Sequence, residues 1–325
     1  MKKKFNKLKK LINGPVFSIH TPFLKNGNID FIGLEKYLKF LCHRGAKIFY
    51  IMVYNSRLTL LNKEEIIKLN IFCIRVIKKI NPDNVVICAE PYQCSTKESI
   101  GYVNKFASAG ADLVSVIFGE KYYSDAQLLS HFKMINDKAK CPLLLHQQFL
   151  ENGMSSDPLH RYYSVDLLSK IFNLKKFVAM KEDAKKEKYT LQIIKKLNKV
   201  IIIKAGGGKT SWLRMAKAGC PAWLCGVSNM DPLIAVDFYK FYKVKNFKKC
   251  QLLIRIFELP LNKLMKKYGW HITIKGMMEI NKVIKRYERS PLKELNNDQM
   301  IDVKKCYKQM FKLSYKYFGT RYLAK

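Results

Sequence analysis

The chain has 325 residues, 48% of them hydrophobic and 26% charged, which excludes a disordered tail protein and a fibrous repeat. Sixty Lys and Arg against 25 Asp and Glu leave a formal charge of +35. No run of ~18 apolar residues occurs, so no membrane span is expected, and a chain of this size can bury a large core.

Residues 1–13 read as a basic N-terminal tail, mobile and solubilising, with Phe5, Leu8 and Ile12 on one side if it coils against anionic lipid. They lack the long apolar stretch and cleavage site of a secretory signal. From Gly14 onward, short β-branched runs alternate with amphipathic stretches. VFSIHT (16–21) predicts a first strand, and Asp30 caps a helix bearing Phe31, Leu34, Leu38 and Leu41. KIFYIMV (47–53) predicts the second strand, and Asn62 with Glu65 opens its helix as a capping box. VVICAE (85–90) and DLVSVIF (112–118) follow as the third and fourth, with a second box at Ser95 and Glu98 between them and a helix from Ser124 after them. CPLLLHQ (141–147), KFVAMKE (176–182), VIIIKAG (200–206) and PAWLCGV (221–227) complete eight strands, each followed by a helical pattern.

Eight such units with short connections predict an α/β fold, a (β/α)8 TIM barrel over residues 14–245. A doubly wound open sheet is the alternative, but IHTPFLKNG is not the Gly-rich turn it needs after its first strand. Residues 246–325 carry no strand signal and read as a C-terminal extension of three helices, 248–265, 271–287 and 297–318.

Lysine is spread over nearly every predicted helix while Arg is scarce, which marks a solvated surface more than a nucleic-acid face, so no specific nucleic-acid partner is expected. The nine cysteines are odd in number, contain no C-x-x-C, and fall partly inside apolar runs. That usage suits a reducing, cytoplasmic setting rather than disulfides or zinc. The six histidines also lack metal-ligand spacing, so no metal is expected.

In such a barrel, reacting groups project from the C-terminal ends of the strands. The polar residues there are His20, Thr21, Tyr54, Asn55, Ser56, Arg57, Glu90, Glu120, His146, Gln147, Lys181, Glu182, Lys204 and Asn229. Lys181 follows the apolar run FVAM, and a lysine held in a desolvated wall has a lowered pKa and can condense with a carbonyl as a Schiff base. His146 ends the neighbouring strand and can carry protons near neutral pH. A strand-end lysine reaching solvent and a satisfied wall histidine are the structural alternatives. GGGKT (206–210) fails as a phosphate loop, because the first glycine it needs is Ile203. The turn around Gly207 can still seat a carboxylate or phosphate on the backbone of the helix it opens, with Lys209 assisting.

Several segments, in order, resemble the dihydrodipicolinate synthase / N-acetylneuraminate lyase group of class I aldolases. They are GPVFSIHTPFLKNGNID (14–30), LNKEE (61–65), AGADLVSV (109–116), VAMKE (178–182), AGCPAWLCGVSN (218–229), GWHITIKGMMEI (269–280) and RSPL (289–292). The resemblance covers about residues 14–315 and implies a Schiff-base lysine at Lys181 and assembly as a homotetramer or dimer. The lysine itself supplies the electron sink, so no cofactor is expected.

Departures stand beside these matches. The family's second-strand G-[TS]-T-G-E pattern falls on Val53-Tyr54-Asn55-Ser56-Arg57, its fourth-strand P-Y-Y on Phe118-Gly119-Glu120, with Tyr122-Tyr123 nearby, and the synthase arginine on Glu151. Its proton-shuttling tyrosine falls on His146 and the next Asn on Gln147. The expected function is a divergent Schiff-base lyase or aldolase for a small-molecule 2-keto acid or sugar acid. Lys181 and His146 are its catalytic pair, and Asn55, Ser56, Arg57, Gln147, Gly207 and Leu224 its substrate-binding residues. The alternative is a barrel of the same family that has exchanged catalysis for ligand or partner binding.

Overall fold

The β-branched runs pair in sequence order, and the eighth returns to the first, closing a parallel barrel. The structure is a computed structural model and describes residues 2–51, 56, 58–91, 94–118, 124–147, 162–184 and 186–323, with side chains from Lys4 onward. Helix α1 (Lys2–Leu11) precedes β1 (Gly14–Ser18), α2 (Phe31–His43), β2 (Ile48–Tyr50), α3 (Lys63–Ile80) and β3 (Val85–Ala89). Then come α4 (Thr96–Ser108), β4 (Leu113–Ile117), α5 (Asp125–Lys138), β5 (Leu143–Gln147), α6 (Val165–Phe172) and β6 (Phe177–Glu182). The barrel finishes with α7 (Glu187–Lys196), β7 (Ile201–Lys204), α8 (Gly208–Lys217), β8 (Ala222–Cys225) and α9 (Leu233–Lys243).

Local chemistry accounts for the boundaries. Asp30 accepts from the Gly33 amide at 2.7 Å, and capping boxes at Asn62, Ser95 and Ser124 satisfy the first amides of α3, α4 and α5. The first strand begins two residues earlier than its pattern suggests, because Gly14 and Pro15 pair with Ala222 and Trp223 of β8. His20 and Thr21 therefore lie beyond the strand, at the rim. There the Thr21 hydroxyl donates to the Ser56 carbonyl, and Asn229 donates to the Ser18 carbonyl, fastening the first, second and eighth staves together.

The N-terminal segment is not the mobile tail its charge suggests. As a helix it places Leu8 and Ile12 on one face and buries both in the core, with Phe5 partly buried against it. The lysines take the other positions, so the segment is amphipathic rather than merely basic.

Beyond the barrel, α10 (Phe247–Leu253) runs through a π-helical turn (Ile254–Glu258) into α11 (Leu259–Tyr268), followed by α12 (Trp270–Ile280) and α13 (Asn297–Phe318). Helix α12 is shorter than its pattern predicts. It stops at Ile280, Lys282 turns left-handed with φ 56°, and Arg286 folds back so that its amide donates to Glu279. Arg44 and the Leu323 amide both donate to Asp231, so the C-terminal segment is tied to the foot of α9. Among the described residues, no helix is long and apolar enough to cross a membrane. All nine cysteines are free, and eight are buried.

Candidate active site

Strands β5 and β6 run side by side with His146 directly opposite Lys181. Side chains alternate along a strand, so residues opposite each other share a face. The Lys181 Nζ lies 2.6 Å from His146 Nε2, and the lysine is only 2% exposed. Asp183 follows two positions after Lys181, returns to the same side, and pairs with the amine through Oδ2. That oxygen also lies 2.9 Å from His146 Nε2. Three titratable groups thus converge at the mouth.

Their electrostatics follow from burial. Desolvation pulls the Lys181 pKa down, opposed by the Asp183 carboxylate. Burial and the Lys181 charge hold His146 down to about 4, so its ring is neutral at physiological pH. For Asp183, burial pushes the carboxyl up, but Lys181 and His146 outweigh it and leave the group below its ordinary value. A protonated Lys181 amine can donate to both His146 Nε2 and Asp183 Oδ2. The imidazole proton is then assigned to Nδ1, which is buried and has no partner among the described residues.

The other strand-end residues have partners of their own. Gln147 faces away from Lys181 and accepts from Tyr189 of α7 at 3.1 Å. Glu182 accepts from the Ala184 amide, Thr190 and Lys204, which places Glu182 and Lys204 in a closed network between β6, β7 and α7. Burial raises Glu90 to about 8, with one oxygen on the Ile117 amide. Ser56 is buried and donates to the Ile19 carbonyl at 2.6 Å. Asn55 and Arg57, together with Tyr54, Gly119, Glu120, Tyr122, Tyr123, Phe149 and Glu151, lie outside the described residues.

Gly207 and Leu224 line a cavity of about 690 Å³ over the ends of β7 and β8. Its wall includes Lys209, Glu258, Asn262 and Trp270, but not Lys181, which lies one stave away. The glycine turn does seat an anion, and that anion belongs to the chain itself. Glu258, from the π-helical turn, accepts from the Lys209 amide at 3.1 Å and from its Nζ at 3.2 Å. Gly206, Gly207 and Gly208 all have left-handed φ, and a Cβ on Gly208 would sit 2.5 Å from the Glu258 carboxylate. A helix N-terminus favours negative charge, which explains the glutamate's place. Among the described residues, no group of three or more His, Cys, Asp or Glu is placed to hold a metal.

Residues 12–310 match the dihydrodipicolinate synthetase family. The chain belongs to that family. A 4-hydroxy-tetrahydrodipicolinate synthase from Clostridium perfringens (strain SM101 / Type A) is 29% identical over 178 residues, 53% of this chain. The match spans 55% of that relative's length, about half. Among solved structures, dihydrodipicolinate synthase from Oceanobacillus iheyensis superposes with a TM-score of 0.80 at 18% identity, covering 95% of this chain and 99% of its own. N-acetylneuraminate lyase from Fusobacterium nucleatum gives 0.80 at 14% identity, covering 92% and 99%. These neighbours share the TIM barrel and its helical extension.

Sequence reasoning missed Asp183. The available signal was its offset of two from Lys181, which keeps both on one side of an extended chain. It also missed Glu258, whose partner lies 49 positions away and leaves no local trace.

Proposed function

We propose that this family member is a Schiff-base lyase or aldolase for a 2-keto acid or sugar acid, with Lys181 as the nucleophile and His146 as the proton carrier. The observation that carries this reading is the Lys181 amine, desolvated in the barrel wall and 2.6 Å from an imidazole held neutral. A protonated imine draws electrons from the adjacent carbon, so a carbon–carbon bond there can form or break with no metal or organic cofactor. The departures at Val53–Arg57 separate the chain from ordinary dihydrodipicolinate synthesis. Free, mostly buried cysteines agree with a cytosolic location. Assembly as a homotetramer or dimer belongs to the same proposal and rests on the family alone.

Reductive trapping tests it. The folded protein is incubated with pyruvate and with larger keto acids, reduced with borohydride and weighed. A mass increase on the peptide bearing Lys181 is expected, and an unmodified mass with every candidate overturns the proposal. A second reading, a barrel that binds without reacting, is favoured by the 690 Å³ cavity whose wall omits Lys181. Binding of a keto acid by calorimetry without any trapped adduct is its signature.

A further inference from the structure

We propose that Asp183 is the counter-ion of Lys181 and that Lys181, His146 and Asp183 act as one proton-relay unit, with the carboxylate balancing whichever partner is cationic. The proposal rests on the Schiff-base reading above and adds to it a residue that no motif marks. One carboxylate oxygen, Asp183 Oδ2, contacts both Lys181 Nζ and His146 Nε2, and these two nitrogens are 2.6 Å apart. A proton can cross from one nitrogen to the other without leaving the reach of that oxygen. Charge separation in a desolvated wall is costly, and here neither proton position requires it.

The condensation balances on these three groups. Lys181 begins as an ammonium paired with Asp183 and passes one proton to His146 Nε2, which becomes an imidazolium donating to the same carboxylate. The free amine attacks the substrate ketone; the nitrogen–carbon bond forms and the carbonyl π pair moves to oxygen, which takes the proton from His146. His146 then accepts a second proton from the new nitrogen and gives it to the hydroxyl, which departs as water while the nitrogen lone pair closes the imine. An ammonium with three hydrogens has become an iminium with one, and the other two have left in the water. Site charge is the same before and after, and His146 starts and ends neutral. Asp183 is paired with a cation throughout.

Other charged and titratable groups face Lys181 from further off. Glu182 on its own strand and Lys204 on β7 act on it through space, and Tyr50 of β2 feels the Asp183 charge. Glu182 and Lys204 are committed to one another, and Tyr50 donates to Ser115 at 2.6 Å. Among the described residues, Asp183 therefore supplies the acidic contact at the amine, and its side chain is 19% exposed.

The test measures Lys181 protonation without relying on turnover. Wild type, Asp183→Asn and Asp183→Glu are labelled with acetic anhydride across a pH series, and acetylation of the Lys181 peptide is read by mass spectrometry. Circular dichroism checks folding, and asparagine keeps the shape of the side chain. Loss of the carboxylate is expected to move half-maximal labelling down by about 1–3 pH units, with Asp183→Glu restoring most of the shift. Borohydride trapping with pyruvate on the same proteins is expected to give the Lys181 adduct in all three, with its pH profile displaced only in Asp183→Asn. An unchanged labelling profile in Asp183→Asn overturns the proposal even where wild type forms the adduct. A displaced profile with no wild-type adduct overturns the lyase reading and the covalent relay, and leaves only the ion pair.

Discussion

Strand β6 carries two lysine–carboxylate arrangements that differ in how completely each is satisfied. On one face Glu182 accepts from Lys204, Thr190 and the Ala184 amide, and Lys204 also donates to the Ala184 carbonyl at 2.6 Å. On the other face Lys181 shares a single carboxylate oxygen with His146, whose second nitrogen has no partner among the described residues. The first arrangement is closed by the protein's own groups and reads as structure. The second is held short of closure, at the rim, and reads as chemistry. The lesson is that a buried lysine is judged by what remains unspent around it rather than by burial alone.

Substitution separates the two faces. Lys181→Arg keeps the charge but cannot condense with a ketone, so turnover and trapping are expected to fall by about 10³-fold or more, measured by initial rates and adduct mass. Its folding midpoint in urea should fall only by the cost of seating the larger guanidinium, less than the loss of a buried carboxylate. Glu182→Ala does the reverse, leaving a buried ammonium without its carboxylate. A stability loss of about 3–5 kcal/mol is expected in urea denaturation. Equal stability losses from both substitutions would erase the distinction.

Acidification sharpens it. His146 stays neutral in the fold down to about pH 4, whereas the unfolded chain takes up a proton below about 6.5. Stability from this group is fully present above about 6.5 and is lost as the pH falls towards 4, by up to about 3 kcal/mol. His146→Gln should flatten that part of the urea-midpoint profile between pH 7 and 4.5. His131, also depressed to about 4 by burial, is common to both proteins and cancels. A smaller effect is expected at Gly208, where alanine adds a left-handed strain and a Cβ against Glu258. Gly208→Ala should cost about 1–3 kcal/mol in thermal or urea denaturation.

Much of this was legible in the sequence. Strand runs, capping boxes and the apolar stretch before Lys181 are local signals, and register then brought His146 opposite Lys181 as neighbouring strands imply. What escaped was non-local or masked by charge. Helix α1 looked like a basic tail because the surface that takes Phe5, around Phe172, Phe177 and Val200, is far away in the chain. The glycine turn was recognised as an anion seat, but its occupant, Glu258, belongs to a π-helical turn with no period of its own. Helix α12 carried an amphipathic pattern past Ile280, and only the left-handed Lys282 ends it.

Glu258 ties the last turns of the barrel to the helical extension that follows it. A nascent polypeptide halted at residue 253 would already possess every stave, yet the leading amides of α8 would lack the acidic plug that the following turn delivers. The rim over β7 and β8 is therefore finished from outside the barrel, and the helical extension is a late-arriving keystone rather than an appendage.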